Sequence, residues 1–258
     1  MTEVRVHTWE PNSNSGKPLF ALAEKGVAFE HVYIDIVQFE QHLPDYLALN
    51  PAGTVPTLVH GTRILTESTP MCEYIDAMFD GPKLMPANPV ARYKVREWCR
   101  RTDMAAAALS VLGWHSFLGP MLRQKSEEEL DRLIARIPLK ERRIAWSAAA
   151  KSTFTEQQLA DARFKVGAWA DEMDRQLART PWLAGETYTL ADLVAFANFW
   201  GLPRTVPEHA NAERTPHYLA WLRHMHARPA AIRLFEASSS LGRMALELGA
   251  ELNKAEAA

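Results

Sequence analysis

Hydrophobic and polar positions in this chain first alternate and later recur at helical spacing. Val4 and Val6 alternate with Arg5 and His7, which predicts a first strand. A polar run follows, Asn12-Ser13-Asn14-Ser15-Gly16-Lys17-Pro18, after which Leu19, Leu22 and Ala23 fall on one helix face and Gly26 supplies a C-terminal stop. The pattern predicts a helix over 18–25 with Ser15 as N-cap and Pro18 in the first turn, where its missing N–H loses no intrahelical bond. Val32, Ile34 and Ile36 then alternate with His31, Tyr33 and Asp35 as a second strand. Strand, helix, strand is a βαβ unit, and its helix starts at the carboxyl end of the first strand, where open α/β sheets bind ligands. Free N–H groups at such a start favour an anion. An ordinary capped helix after a polar loop explains the same seven residues equally well.

Beyond a polar segment over 38–50, Pro51-Ala52-Gly53-Thr54-Val55-Pro56 reads as a turn entering an apolar strand. Val55 to Val59 and Arg63 to Leu65 flank His60-Gly61-Thr62 as a hairpin, with Pro56 at a strand end and a cis Val55–Pro56 bond open to it. Thr66-Glu67-Ser68-Thr69-Pro70 opens another helix, with Ser68 as N-cap and Met71, Ile75, Met78 and Phe79 on one face. Gly81-Pro82 and Pro86-Ala87-Asn88-Pro89 then punctuate the chain too densely for a regular element. They place a boundary there: a first domain over 1–84, a linker over 85–90 and a second domain over 91–258. Helical periodicity fills the second part, interrupted near Gly119-Pro120, Ile137-Pro138, Arg179-Thr180-Pro181 and Leu202-Pro203, and predicts a helix bundle. Within it Thr189-Leu190-Ala191-Asp192 is a capping box. The tail over 241–258 is amphipathic and then polar, with loose last residues.

Composition narrows the classes. With 258 residues, 47% hydrophobic and 23% charged, the chain is long enough for real cores and ordinary for a soluble protein. A net charge of −2 gives no electrostatic reason to expect nucleic acid or an anionic membrane. The alanine-rich window over 104–122 contains His115, two glycines and Pro120, which suits a buried helix better than a membrane span. Cys72 and Cys99 have neither CxxC nor metal-ligand spacing, so no metal site is expected and each reads as a small buried hydrophobe. No basic start leads into an apolar run, which predicts a cytoplasmic protein without a signal peptide.

Taken jointly, the βαβ unit, the Val-Pro strand entrance, the hairpin, Glu67-Ser68 at a helix start, a short linker and a helical part with Thr189-x-x-Asp192 resemble the cytosolic glutathione transferases over residues 3 to 235. Several motifs look like those of the bacterial glutathione-dependent β-aryl etherases, of the fungal-related class. These are Asn14-Ser15-x-Lys17-Pro18, Phe39-Glu40-Gln41-His42, Asn50-Pro51-x-Gly53-x-Val55-Pro56, Thr66-Glu67-Ser68-Thr69, Cys72-Glu73-Tyr74, the helical segment around Ile134 to Trp146 and His226-Ala227-Arg228-Pro229. The resemblance implies an α+β fold, with a thioredoxin-like N-terminal domain on a mixed four-stranded sheet and an all-α C-terminal bundle, usually as a homodimer. It implies glutathione as co-substrate and an aromatic hydrophobic small molecule as second substrate.

The chemistry of glutathione fits these motifs. Its thiol titrates near 8.5 when free, so hydrogen-bond donors must favour the thiolate. The resemblance gives that role to the Ser15 hydroxyl, a backbone N–H of the helix start and the Asn14 amide; it implies that the nucleophile belongs to glutathione, consistent with positions 13–16 holding no cysteine. Val55, beside Pro56, would pair its backbone with the cysteinyl unit. Glu67 would take the γ-glutamyl ammonium, and Ser68 that residue's carboxylate. His42, with Gln41, would reach the glycyl carboxylate, and Asp103 the γ-glutamyl group. Ser13, Lys17 and Thr54 complete the glutathione contacts, and Trp114, His115, Phe117, Met121 and Trp146 are candidates for the aryl pocket. The implied reaction is β-etherase cleavage of lignin-derived aryl ketones. A general transferase or glutathione-dependent disulfide-bond reductase, and a non-catalytic glutathione-binding protein, are the alternatives.

Overall fold

The computed structural model describes residues 3–256. Four strands, β1 (Val4–Thr8), β2 (Glu30–Tyr33), β3 (Thr57–His60) and β4 (Arg63–Leu65), form one mixed sheet in the order β2-β1-β3-β4. β1 and β2 are parallel, and α1 (Ser13–Lys25) supplies the crossover between them; β3 runs antiparallel to both β1 and β4. α2 (Pro44–Leu49) lies in the connection from β2 to β3, and α3 (Ser68–Met78) packs beside α1. The predicted second strand is shorter than its alternation suggests, because Asp35 ends it: its carboxylate accepts the Val37 N–H at 2.8 Å and turns Ile36 into a short 3-10 helix. Of the face predicted on α3, Met71 and Ile75 are buried and Met78 is exposed, with Cys72 taking its place in the core. Burial pushes the Cys72 thiol up to about 12, as fits a packing residue.

The remaining elements are helical: α4 (Pro89–Gly113), a π turn (Trp114–Leu118), α5 (Gly119–Leu122), α6 (Glu127–Ala135), α7 (Lys140–Lys151), α8 (Glu156–Leu177), α9 (Leu190–Phe199), α10 (Leu202–Thr205), α11 (Pro216–His226), α12 (Pro229–Glu236) and α13 (Ser240–Glu256). The chain stays helical through Gly119-Pro120, contrary to the expected interruption, because the π turn already frees the backbone ahead of the proline. Pro138 divides the helical segment around Ile134 to Trp146 into α6 and α7, at the interruption expected near Ile137-Pro138. Residues 89–122 form a run long and apolar enough to cross a membrane by length and composition; α4 packs along α8 and α9. The expected loose chain end falls partly outside the described residues.

One apolar core is continuous from β1 and α1 through α4, α8, α9 and α11 to α13, with Phe20 of α1 set 5.3 Å from Phe196 of α9. A second, smaller core seats Val37 and Phe39 against Leu122, Ile134 and Trp146. The segment over 126–151 is thereby folded down onto the sheet-bearing part.

His226 illustrates how this core responds to pH. It is buried against Phe196, Trp200 and Phe235, and burial holds its pKa down at about 4. A folded pKa below the unfolded 6.5 means that stability from this group is complete above pH 6.5 and is lost as pH falls towards 4. The loss is on the order of 2–3 kcal/mol. Urea unfolding at pH 7.5 and 4.5 should show that decline, and His226→Phe should flatten it; an equally steep variant would count against the assignment.

Candidate active site

The loop after β1 delivers α1 in a way the sequence did not indicate. Asn12 is the residue before the helix and makes no side-chain cap, while Ser13 enters at φ 54°, in the left-handed region that costs a non-glycine residue about 1 kcal/mol or more. α1 therefore starts at Ser13, and Ser15 lies inside its first turn. The Ser15 hydroxyl is buried and accepts the Trp9 N–H at 3.4 Å. The N–H groups of residues 13–15 find no acceptor among the described residues, whereas Gly16 N–H bonds the Asn12 carbonyl at 3.1 Å. Pro18 sits in the second turn, so the helix also forgoes a bond to the Asn14 carbonyl. The start thus presents unpaired N–H groups, a geometry that suits an anion, with Asn14 as its exposed side chain.

A cavity of about 320 Å³ opens in front of it. Its walls include Asn14, Gln41, Thr54, Val55, Pro56, Glu67 and Ser68. The Val55–Pro56 bond is cis, and the Val55 N–H and C=O have no partner among the described residues. Gly53 shapes this turn: it has φ 60°, and a Cβ there would lie 2.6 Å from His42 Cδ2. Asn50 and Tyr46 hold the turn from below by donating to the Thr54 carbonyl at 2.8 and 2.6 Å.

At the second helix start, Glu67 is the cap position and Ser68 the first helical residue, one residue earlier than the predicted cap at Ser68. The Glu67 carboxylate makes no cap hydrogen bond, and the N–H groups of Ser68 and Thr69 have no acceptor among the described residues. The Ser68 hydroxyl turns inward, donating to Asn14 Oδ1 and accepting from Lys17 Nζ, each at 3.3 Å. Lys17 and Asp103, both expected at glutathione, bind each other at 2.5 Å behind the cavity wall. Asp103 also accepts the Thr69 hydroxyl at 3.0 Å.

His42 does not line the cavity. It is buried between Phe39 and Trp146 with neither ring nitrogen hydrogen-bonded, and burial together with the Arg142 guanidinium pushes its pKa down to about 4. Near neutral pH it is uncharged and no counter-ion for a carboxylate. The cation on the cavity wall is Arg142 of α7. Its Nε is buried without a partner, no ion pair engages it among the described residues, and burial holds its pKa below the usual guanidinium range. Nothing in the sequence pattern of Lys140-Glu141-Arg142-Arg143 marked it; its one signal is the four-residue spacing to Trp146, which puts both on one helix face.

The five candidates for the aryl pocket divide. Trp114 and Trp146 line the first cavity, and His115 and Phe117 a second one of about 460 Å³. Met121 lines neither and packs against the smaller core. Leu109, Leu112, Trp200 and Met244 give the second cavity an apolar wall, and Asn12 joins it from the loop before α1. The π turn thus separates the cavities, with Trp114 on one side and His115 on the other. Ser13 faces α9, its hydroxyl 3.5 Å from Asn198 Oδ1.

Comparison with known proteins matches this arrangement. The N-terminal domain of glutathione S-transferases matches residues 13–78, and their C-terminal domain residues 107–229. Protein LigF of Sphingobium sp. strain SYK-6 is 34% identical over 91% of this chain and 94% of its own length. The crystal structure of that protein, described as a beta-etherase, superposes with a TM-score of 0.86 over 92% of this chain and all of LigF. A theta class glutathione S-transferase from Xanthomonas axonopodis pv. citri, solved with glutathione bound, is 25% identical, with a TM-score of 0.69 over 90% of this chain and 97% of its own. Glutathione S-transferase 3 of Zea mays is 29% identical over 89% of this chain and 92% of its own. A mixed sheet leading into two unpaired helix starts, a helical bundle closing over them, and relatives that span nearly the whole chain place this protein in the glutathione S-transferase family.

Proposed function

We propose that this transferase is a β-etherase. Glutathione binds in the first cavity, and its thiolate attacks the ether-bearing carbon of a β-O-4 aryl ketone. The carbon–oxygen bond breaks, a phenolate leaves, and a glutathione thioether remains. The adjacent carbonyl already polarises that carbon, so the protein has chiefly to make the thiolate and orient two reactants. The likeness to LigF supports the etherase assignment.

The observation that carries the glutathione site is the match of unpaired groups on one wall. Glu67 is free for the ammonium, the α3 start for one carboxylate, Arg142 for the other, and the Val55 backbone for the peptide. Thiolate stabilisation then falls to the Asn14 amide and the N–H groups of residues 13–15, with Ser13 beside them and the Ser15 hydroxyl supporting the loop through Trp9. The aryl ketone must meet the thiolate at the Asn12–Asn14 segment, where Asn14 lines the first cavity and Asn12 the second, with its apolar rings taken by the second cavity beside Phe117.

The boundary over 85–90 divides the glutathione-binding part from the substrate-binding part, and the protein works as a cytoplasmic homodimer. Val90, Tyr93 and Met104 of α4, Ile64 of β4 and Met78 of α3 are exposed apolar side chains that a second copy could cover. Purified protein with glutathione is expected to release phenol from a panel of β-O-4 aryl ketones and to sediment as a dimer. Asn14→Ala should slow phenol release more than Ser15→Ala. Faster turnover of a glutathionylated hydroxyethyl disulfide than of any ether would favour the reductase, and binding without turnover would reject the etherase.

A further inference from the structure

From the cluster behind the cavity we infer that Lys17 is a positioning residue: its buried ammonium fixes the Asn14 amide with Nδ2 turned to the glutathione thiol. This rests on the first cavity being the glutathione site. Lys17 is 1% exposed and lies in the second turn of α1. Its Nζ is 2.8 Å from Asn14 Oδ1, 3.3 Å from Ser68 Oγ, 3.2 Å from Thr69 Oγ1 and 2.5 Å from Asp103 Oδ1.

An ammonium has three N–H donors and no acceptor, so the amide atom that faces it at 2.8 Å must be oxygen. The Ser68 hydroxyl donates to the same oxygen. Both N–H bonds of Asn14 Nδ2 are then directed away from the cluster, and Asn14 is exposed on the cavity wall. An unrestrained asparagine can present either end to a ligand, and its oxygen would disfavour a thiolate. Lys17 removes that choice. Its charge also polarises the amide and strengthens Nδ2 as a donor. Asp103 neutralises the cation, and the Thr69 hydroxyl holds that carboxylate at both oxygens. A plain brace between α1 and α4 would need only the ion pair and would be indifferent to Asn14.

The test compares Lys17→Met, Asn14→Ala and the double variant, reading the ultraviolet band of bound thiolate against pH and the acid limb of kcat/KM. Each single change should move that limb up by about one pH unit, and the double change no further. Additive shifts, or an unmoved limb in Lys17→Met, would overturn the inference. Lys17→Met leaves Asp103 without its cation, so Lys17→Met/Asp103→Asn, which removes both charges, should show the same displaced limb. For the unaltered protein, a neutron or atomic-resolution structure with glutathione should show Nδ2 on the sulfur and Oδ1 on Lys17; the reverse orientation would overturn the inference whatever the variants do. Calorimetry separates the two levels. Wild type that does not bind glutathione removes the cavity assignment and this role with it, whereas tight binding with a lowered thiol pKa that ignores Lys17 removes the positioning role alone.

Discussion

Arg142→Met is expected to weaken glutathione binding by ~10- to 100-fold while leaving the protein at least as stable as wild type. The first half follows from chemistry: hydrogen bonds to a charged partner in a half-buried site are worth about 1.5–3 kcal/mol, and each 1.4 kcal/mol is about tenfold in affinity. The second follows from isolation. The guanidinium has a buried Nε without a partner, and burial holds its pKa down, so the ligand-free fold bears a desolvation cost that methionine would relieve. A residue kept for packing would show the opposite sign in stability. Calorimetry with glutathione and with its glycine-amide analogue makes the assignment specific. Wild type should bind the amide far more weakly than the acid, and Arg142→Met should scarcely distinguish them. A variant that still prefers the acid as strongly as wild type would transfer the carboxylate to another group on that wall, such as Gln41. At saturating glutathione kcat should change much less than KM, because this carboxylate is held equally in ground and transition states.

What could be read from the chain was what local physics dictates. Val4 and Val6 are buried on either side of the exposed Arg5 at the start of β1, Gly53 and Pro56 mark a turn few other residues could make, and Thr189 with Asp192 forms the capping box at α9 that their spacing predicts. The motif order also located the cavity wall: Asn14, Gln41, Thr54, Val55, Pro56, Glu67 and Ser68 all reach it. What escaped was set by tertiary context. No pattern announces that Ser13 will enter α1 with positive φ, and the cap position falls at Asn12, three residues before Ser15, which puts the Ser15 hydroxyl inside the first turn and behind the wall. The resemblance puts His42 at the glycyl carboxylate, but Phe39 and Trp146 enclose it and burial holds it neutral. Arg142 carries no mark in the sequence as a site residue. Its role depends on the smaller core, which presses α7 against the loop after β2 and brings a residue about a hundred positions distant to the wall beside Gln41.

The largest loss of stability is expected from Asp192→Ala, about 3–5 kcal/mol in urea unfolding at pH 7.5. Asp192 is fully buried and accepts the Leu183 N–H at 2.9 Å, the Thr189 N–H at 3.1 Å, the Thr189 hydroxyl at 3.3 Å and the Trp221 Nε1–H at 3.1 Å. Alanine strands all of these donors and removes half of the capping box. Burial pushes the carboxyl up to about 6, against the pull of these hydrogen bonds. Because the folded state then holds the proton more tightly than the unfolded chain at 3.8, this group adds stability as pH falls from 6, the reverse of His226. The gap between wild type and Asp192→Ala should therefore widen between pH 7.5 and 5; a gap that narrows would contradict the assignment. The damage should also reach the site. α9 carries Asn198 against Ser13 and Phe196 against Phe20, so fraying its first turn loosens the seat of α1. Saturating glutathione should then return part of the lost stability, since binding to the folded state alone pulls the equilibrium back by mass action.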